Sequence, residues 1–121
     1  MNMRIKRFDI VMVNFGSDVL AGEQGGIRPA VIVQNNCGNT YGCTTLVMPL
    51  TTRLKKIYQP THTIIYRDND NNLSYNSMVL GECLRQISEQ RILKYVGSIK
   101  DIDTKKEIKR VYDANFGKDG E

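Results

Sequence analysis

His62 is the only histidine in the 121 residues, and the three cysteines, Cys37, Cys43 and Cys83, are odd in number with no CxxC spacing. Those shortages exclude a disulfide framework and a zinc site, so any chemistry is expected to run on side chains alone, without metal or cofactor. No apolar run approaches the length of a bilayer. The basic start Arg4-Ile5-Lys6-Arg7 is followed only by the short run Ile10-Val11-Met12-Val13 between Asp9 and Asn14, too brief for a signal peptide, and a cytoplasmic protein with no membrane partner is expected. Internal repeats, linkers and low-complexity tracts are also missing, so residues 1–121 are expected to form one domain.

Against those absences the composition is that of a folded chain, 40% apolar and 25% charged, which argues against disorder. The net charge of +4 is unevenly spread: residues 1–56 carry seven Lys/Arg against three acids, while the rest of the chain is balanced. Arg28 and the cluster Arg53-Leu54-Lys55-Lys56 could then form one positive face, suited to an anionic partner such as nucleic acid.

The first three-quarters reads as short strands separated by turns. Phe8 to Phe15, Pro29 to Gln34, Thr44 to Leu50, Thr61 to Arg67 and Ser77 to Leu80 are rich in β-formers, with Pro49 suggesting an edge or bulge and Asp68 to Asn72 a solvated turn. Many short strands argue for a small barrel. Ser88 to Tyr95 reads as a short helix capped by Ser88 and ended by Gly97. From Asp103 to Phe116, Ile108, Val111, Tyr112 and Phe116 recur at helical spacing, which predicts an amphipathic helix packed on the barrel.

The segment Gly22-Glu23-Gln24-Gly25-Gly26-Ile27-Arg28-Pro29 joins a flexible glycine loop to a proline that restricts Arg28 to extended backbone. A cation held at a strand end beside a groove is the expected result. The alternative is an arginine that merely snorkels over a sheet edge. Three groups fall at predicted strand ends, where loop residues can meet in one groove: Glu23, Gln24 and Arg28; Thr51, Thr52 and Arg53; and Glu82 to Arg85.

Taken together, Asp9-Ile10-Val11, Glu23-Gln24-Gly25-Gly26-Ile27-Arg28-Pro29, Pro49-Leu50-Thr51, Pro60-Thr61-His62 and Ser77-Met78-Val79-Leu80-Gly81-Glu82 resemble the MazF and PemK family of toxin endoribonucleases, most of all its Gram-positive members. The resemblance covers about residues 6–99. It implies an SH3-like barrel with a C-terminal helix, and a homodimer whose grooves bind single-stranded RNA and cut messenger RNA at a specific sequence, with a uracil-containing site suggested. It further implies a MazE-like antitoxin whose acidic disordered tail fills the same grooves, the complex binding its own promoter DNA through the antitoxin. Arg28 and Thr51 match the family's catalytic pair, and Glu23, Gln24, Asn35 and Glu82 match positions near the RNA, with Arg53 and Arg85 as further RNA-binding candidates. The sequence departs from the family pattern at Phe8, where a glycine is usual, at Asn14, and at Cys83, where an amide is common and a thiol is a poor hydrogen-bonding substitute.

The implied chemistry is consistent with the residues. RNA is cut without metal when its 2′-hydroxyl attacks the adjacent phosphate, leaving a cyclic phosphate and a 5′-hydroxyl. A fixed guanidinium suits the charge that gathers on the phosphate oxygens. Arginine is a poor general base, so Arg28 is read as stabilising charge, Thr51 as orienting phosphate or ribose, and Glu23 as a possible base. His62, inside a strand start, is read chiefly as a packing or hydrogen-bonding residue. Two other functions share such a barrel, a CcdB-like gyrase poison and an RNA-binding domain without turnover.

Overall fold

The fold is described from a computed structural model over residues 4–118. Nine regular elements alternate with turns: β1 (Asp9–Asn14), β2 (Ile27–Ile32), α1 (Asn36–Tyr41), β3 (Thr44–Thr51), β4 (His62–Ile65), β5 (Ser77–Leu80), β6 (Arg85–Ser88), β7 (Ile92–Ser98) and α2 (Ile102–Ala114). Single 3₁₀ turns at Gly81–Cys83 and Glu89–Arg91 flank β6.

All ladders are antiparallel and run β4-β5-β3-β2-β1-β7, with β6 also paired to β3. The path is open, because no ladder joins its ends; a fully closed barrel, expected from the many short strands, is not what the pairing gives. Alternation along the central strands buries both faces. Val11, Val13, Ala30, Ile32, Val47, Ile87 and Ile92 share one cluster, while Ile10, Val31, Met48, Leu50 and Val79 point the other way, onto Ile108 and Val111 of α2. The amphipathic C-terminal helix is therefore present, and Asp101 caps it by accepting from the Thr104 N–H at 2.9 Å.

Three expectations are corrected. Ser88 to Tyr95 is not a helix: Ser88 caps only one 3₁₀ turn, and Ile92 to Ser98 pairs with β1. The β-formers Ile92, Tyr95 and Val96 outweigh a local cap when a strand partner is available. Pro49 lies at no edge, since β3 is paired on both sides; it falls in the gap where one edge of β3 changes partner from β6, ending at Val47, to β5, starting at Leu50. The Asp68 to Asn72 turn is not simply solvated. Asn71 is buried, with its amide accepting from Asp68 N–H and Leu73 N–H and donating to the Tyr66 carbonyl.

Candidate functional site

Gly26 takes φ +74°, a conformation that favours glycine, and its N–H and C=O bond Gly16 and Phe15 at 2.8 and 2.9 Å. This closes the base of the glycine loop and delivers Arg28 as the second residue of β2, half-buried as a strand-end cation should be. Its guanidinium is held from within the loop: Nε donates to the Gly25 carbonyl at 3.1 Å and Nη1 to the Gln24 side-chain oxygen. Among the described residues, the rest of the donor fork makes no further bond.

The β2–β3 ladder pairs Ala30 with Pro49, Val31 with Met48 and Ile32 with Val47. The ladder ends at Ala30 and Pro49, two residues short of Arg28 on β2 and of Thr51, the final residue of β3. The Thr51 hydroxyl accepts from the Arg53 N–H at 3.1 Å, which turns the chain out of the sheet.

Beside Arg28 lies a cavity of about 570 Å³ whose lining includes Phe15, Asp18, Glu23, Gln24, Glu82, Cys83, Arg85 and Arg91. Four of the sequence-predicted residues, Glu23 and Gln24 from the glycine loop and Glu82 and Arg85 after β5, thus meet there from two separate segments. The Glu23 carboxylate is anchored by the Leu20 N–H at 2.6 Å, and the Arg85 guanidinium stacks 5.4 Å from the Phe15 ring centre. Burial pushes the Cys83 thiol up and the Glu82 charge adds to this, with Arg28 offsetting part, so the thiol stays protonated and is a weak nucleophile.

Glu82 has the most partners. Its carboxylate meets His62 Nε2 at 2.8 Å, the Thr61 hydroxyl at 3.2 Å and the Gln59 amide at 3.5 Å. Partial burial pushes its pKa up, but the His62 hydrogen bond, its own backbone N–H, the His62 charge and Thr61 together hold it below the usual carboxylate value.

Not every candidate is in this cavity. Arg53 is exposed on the loop after β3, and Asn35 caps α1 by accepting from the Gly38 N–H at 2.8 Å. Asn35 also lines a separate groove of about 670 Å³ with Arg7, Phe8, Lys105, Lys106 and Lys109. The positive face expected from the first half of the chain is therefore redistributed: α2 supplies three of the cations around that groove, and the Arg28 cavity is mixed in sign. Asp18, Arg91 and the Phe15 ring were not among the sequence candidates, and nothing in their local pattern marks them. Among the described residues, no cluster of three or more His, Cys, Asp or Glu is arranged to hold a metal ion, and no helix is long and apolar enough to cross a membrane.

Residues 6–112 match the family described as PemK-like, MazF-like toxin of type II toxin–antitoxin system. The endoribonuclease MazF of Staphylococcus saprophyticus is 34% identical over 113 residues, covering 93% of this chain and 92% of that protein. Among solved structures, MazF from Deinococcus radiodurans superposes with a TM-score of 0.79 at 20% identity, covering 97% of this chain and all of the other. A mycobacterial endoribonuclease in complex with its cognate antitoxin gives 0.75 at 19% identity, covering 93% and 95%. At those identities the two structures speak for the shared fold.

Proposed function

The chain belongs to the PemK-like, MazF-like toxin family, and we propose that it is the endoribonuclease toxin of a type II toxin–antitoxin pair, cutting single-stranded messenger RNA at a specific sequence. The observation that carries this reading is the tethering of Arg28 by its own loop at a strand end, beside a cavity that gathers Glu23, Gln24, Glu82 and Arg85.

In the proposed reaction the ribose 2′-oxygen attacks the adjacent phosphorus and the bond to the 5′-oxygen breaks. The products are a 2′,3′-cyclic phosphate and a 5′-hydroxyl. Arg28 binds the phosphate oxygens as negative charge accumulates, and its proton-donor fork also lies within the chemistry needed to protonate the departing oxygen. Thr51 orients the phosphate. Glu23 takes the 2′-hydroxyl proton, a role not given to Glu82, whose carboxylate is already engaged by His62 and Thr61. Arg85, Arg53 and Asn35 contact RNA outside the reacting bond. The attacking group belongs to the substrate, so the step requires no metal.

The same proposal includes a homodimer, a MazE-like antitoxin that blocks the RNA groove, and promoter binding by the toxin–antitoxin complex through the antitoxin. It also treats the five strands around the cluster Val11, Val13, Ala30, Ile32, Val47, Ile87 and Ile92 as an SH3-like barrel with incomplete closure.

The test is incubation of purified protein with RNA in EDTA, followed by end analysis. Fragments with 5′-hydroxyl ends are expected. Arg28→Ala should lower the rate at least about 100-fold, the scale of losing one transition-state donor, with an unchanged melting curve. Arg28→Lys should recover little, because an ammonium lacks the planar fork. Intact RNA with inhibited supercoiling would point instead to a gyrase poison, and binding without cutting to a non-catalytic RNA-binding domain.

A further inference from the structure

We propose that His62 is a positioning residue for this reaction: as an imidazolium it clamps the Glu82 carboxylate at the cavity and ties the loop before β4 to it. This rests on the endoribonuclease reading above. His62 is 5% exposed, so its ring does not stand open to a substrate. Nδ1 lies 2.8 Å from the Lys56 carbonyl and Nε2 lies 2.8 Å from Glu82 Oε2.

The donor and acceptor roles follow from those partners. A backbone carbonyl can only accept, so Nδ1 must donate. An ionised carboxylate can only accept, so Nε2 must donate as well. Only the protonated ring offers both N–H groups at once; the neutral ring has to give up one arm. Glu82 is the group that carries the effect outward. It lies directly after β5 in a 3₁₀ turn, lines the cavity with Glu23, Gln24 and Arg85, and has its other oxygen occupied by the Thr61 hydroxyl. With the clamp closed, its position and charge are fixed where RNA is to bind.

The charged residues that meet His62 or its backbone come from three elements. Glu82 approaches from the 3₁₀ turn, Lys56 from the loop, and Arg110 from α2 donates to the His62 carbonyl at 3.2 Å. Arg110 is itself paired with Glu107 at 2.5 Å, which offsets its charge. Among the described residues, Glu82 is therefore the sole carboxylate bonded to the ring.

Two measurements test this on the full-length protein. Because the chain has one histidine, ring ¹⁵N and ¹³C signals belong to His62 alone. The protonated ring should show two slowly exchanging N–H groups, and in Glu82→Gln the Nε2–H should exchange faster than in the wild type. In parallel, cleavage of a transcript with mapped cut sites is followed from acid to mildly alkaline pH. KM should rise on the alkaline side as the clamp opens. His62→Gln and Glu82→Gln should each raise KM about tenfold at neutral pH, the scale of one charge-assisted hydrogen bond, flatten that limb and change kcat little. The double variant should be no worse than either single one.

A merely structural histidine would lower the melting temperature while leaving KM and the pH profile alone. Equal exchange of both ring N–H groups in wild type and Glu82→Gln, or a wild-type pH profile in both single variants, would overturn the proposal. Should His62→Gln fail to fold, Glu82→Gln, whose side chain is 42% exposed, decides both measurements. A chain that cuts no RNA would refute the nuclease reading, while the ring signals would still decide whether the clamp exists.

Discussion

Gln24 has a sharper task at Arg28 than its place in a glycine-rich loop suggests. Its side-chain oxygen accepts from Nη1 while the Gly25 carbonyl takes Nε, so the guanidinium is oriented by two bonds from residues three and four positions upstream. Gln24→Ala removes one of the two, and the expected loss in cleavage is about tenfold, the scale of one hydrogen bond to a charged group. Gln24→Glu should do worse despite keeping the bond, because a carboxylate on the fork neutralises the charge meant for phosphate. Comparing single-turnover rates of the two variants checks this ordering, and a Glu variant faster than the Ala variant would refute it. Arg28 was legible in the sequence because its constraint is local: glycines before it and a proline after it. The His62–Glu82 pair was not, since the residues lie 20 positions apart and only the β4–β5 ladder brings them together. Phe8, where the family pattern usually has a glycine, has a physical meaning in the structure. It holds φ +76°, a conformation costly for a side chain, with Arg7 and Lys105 stacked on its ring at 5.2 and 5.3 Å.

Between elements, Gly81 sets how closely α2 approaches the end of β5. A Cβ there would stand 2.3 Å from Val111 Cγ1 and 2.6 Å from the Thr61 carbonyl, distances that force something to move. Gly81→Ala is expected to cost about 2 kcal/mol by overpacking, read as a lowered urea midpoint. Val111→Ala in the same chain should recover part of that loss, because it removes the nearer clash but leaves the carbonyl, and additive losses in the double variant would contradict this contact. Strands with clear β-former runs were legible, each within about two or three residues of its observed bounds, as was α2 with its helical spacing. Three short segments were not. The strand β6 carries Arg85 and Gln86 ahead of Ile87 and shows no run of β-formers. Residues 88–95 carry a helix-like cap but take their structure from β1, a partner some eighty positions away. The helix α1 has no apolar face to announce it. It is held by polar bonds instead: Asn35 caps it, and the buried Asn39 accepts from the Thr45 hydroxyl at 2.6 Å and donates to the Gln34 carbonyl at 3.0 Å.

Over the whole molecule, charge along the chain was a poor guide to charge in space. The balanced last segment supplies Lys105, Lys106 and Lys109 to a basic groove, and the cavity beside Arg28 mixes Arg85 and Arg91 with Glu23, Glu82 and Asp18. What the fold does concentrate is dependence on two carboxylates. Asp101 is held below its usual pKa by hydrogen bonds from the Thr104 side chain and backbone, and Glu82 is held low by the His62 contacts that outweigh its partial burial. One fastens the start of α2 and the other fastens the turn after β5. A carboxyl whose folded pKa is depressed stabilises the fold at pH above its unfolded value, and that contribution is lost as pH falls through the lowered folded value. Stability should accordingly be intact at neutral pH and decline below the ordinary carboxyl range of about 4. Asp101→Asn retains a capping side chain and Glu82→Gln retains an acceptor for Thr61, while neither can be protonated in this range. The double variant should therefore start from a lower urea midpoint at neutral pH and lose less on acidification than wild type. Parallel acid limbs for the two proteins would mean that other groups control the acid response, and that these two bonds contribute to structure without contributing to its pH dependence.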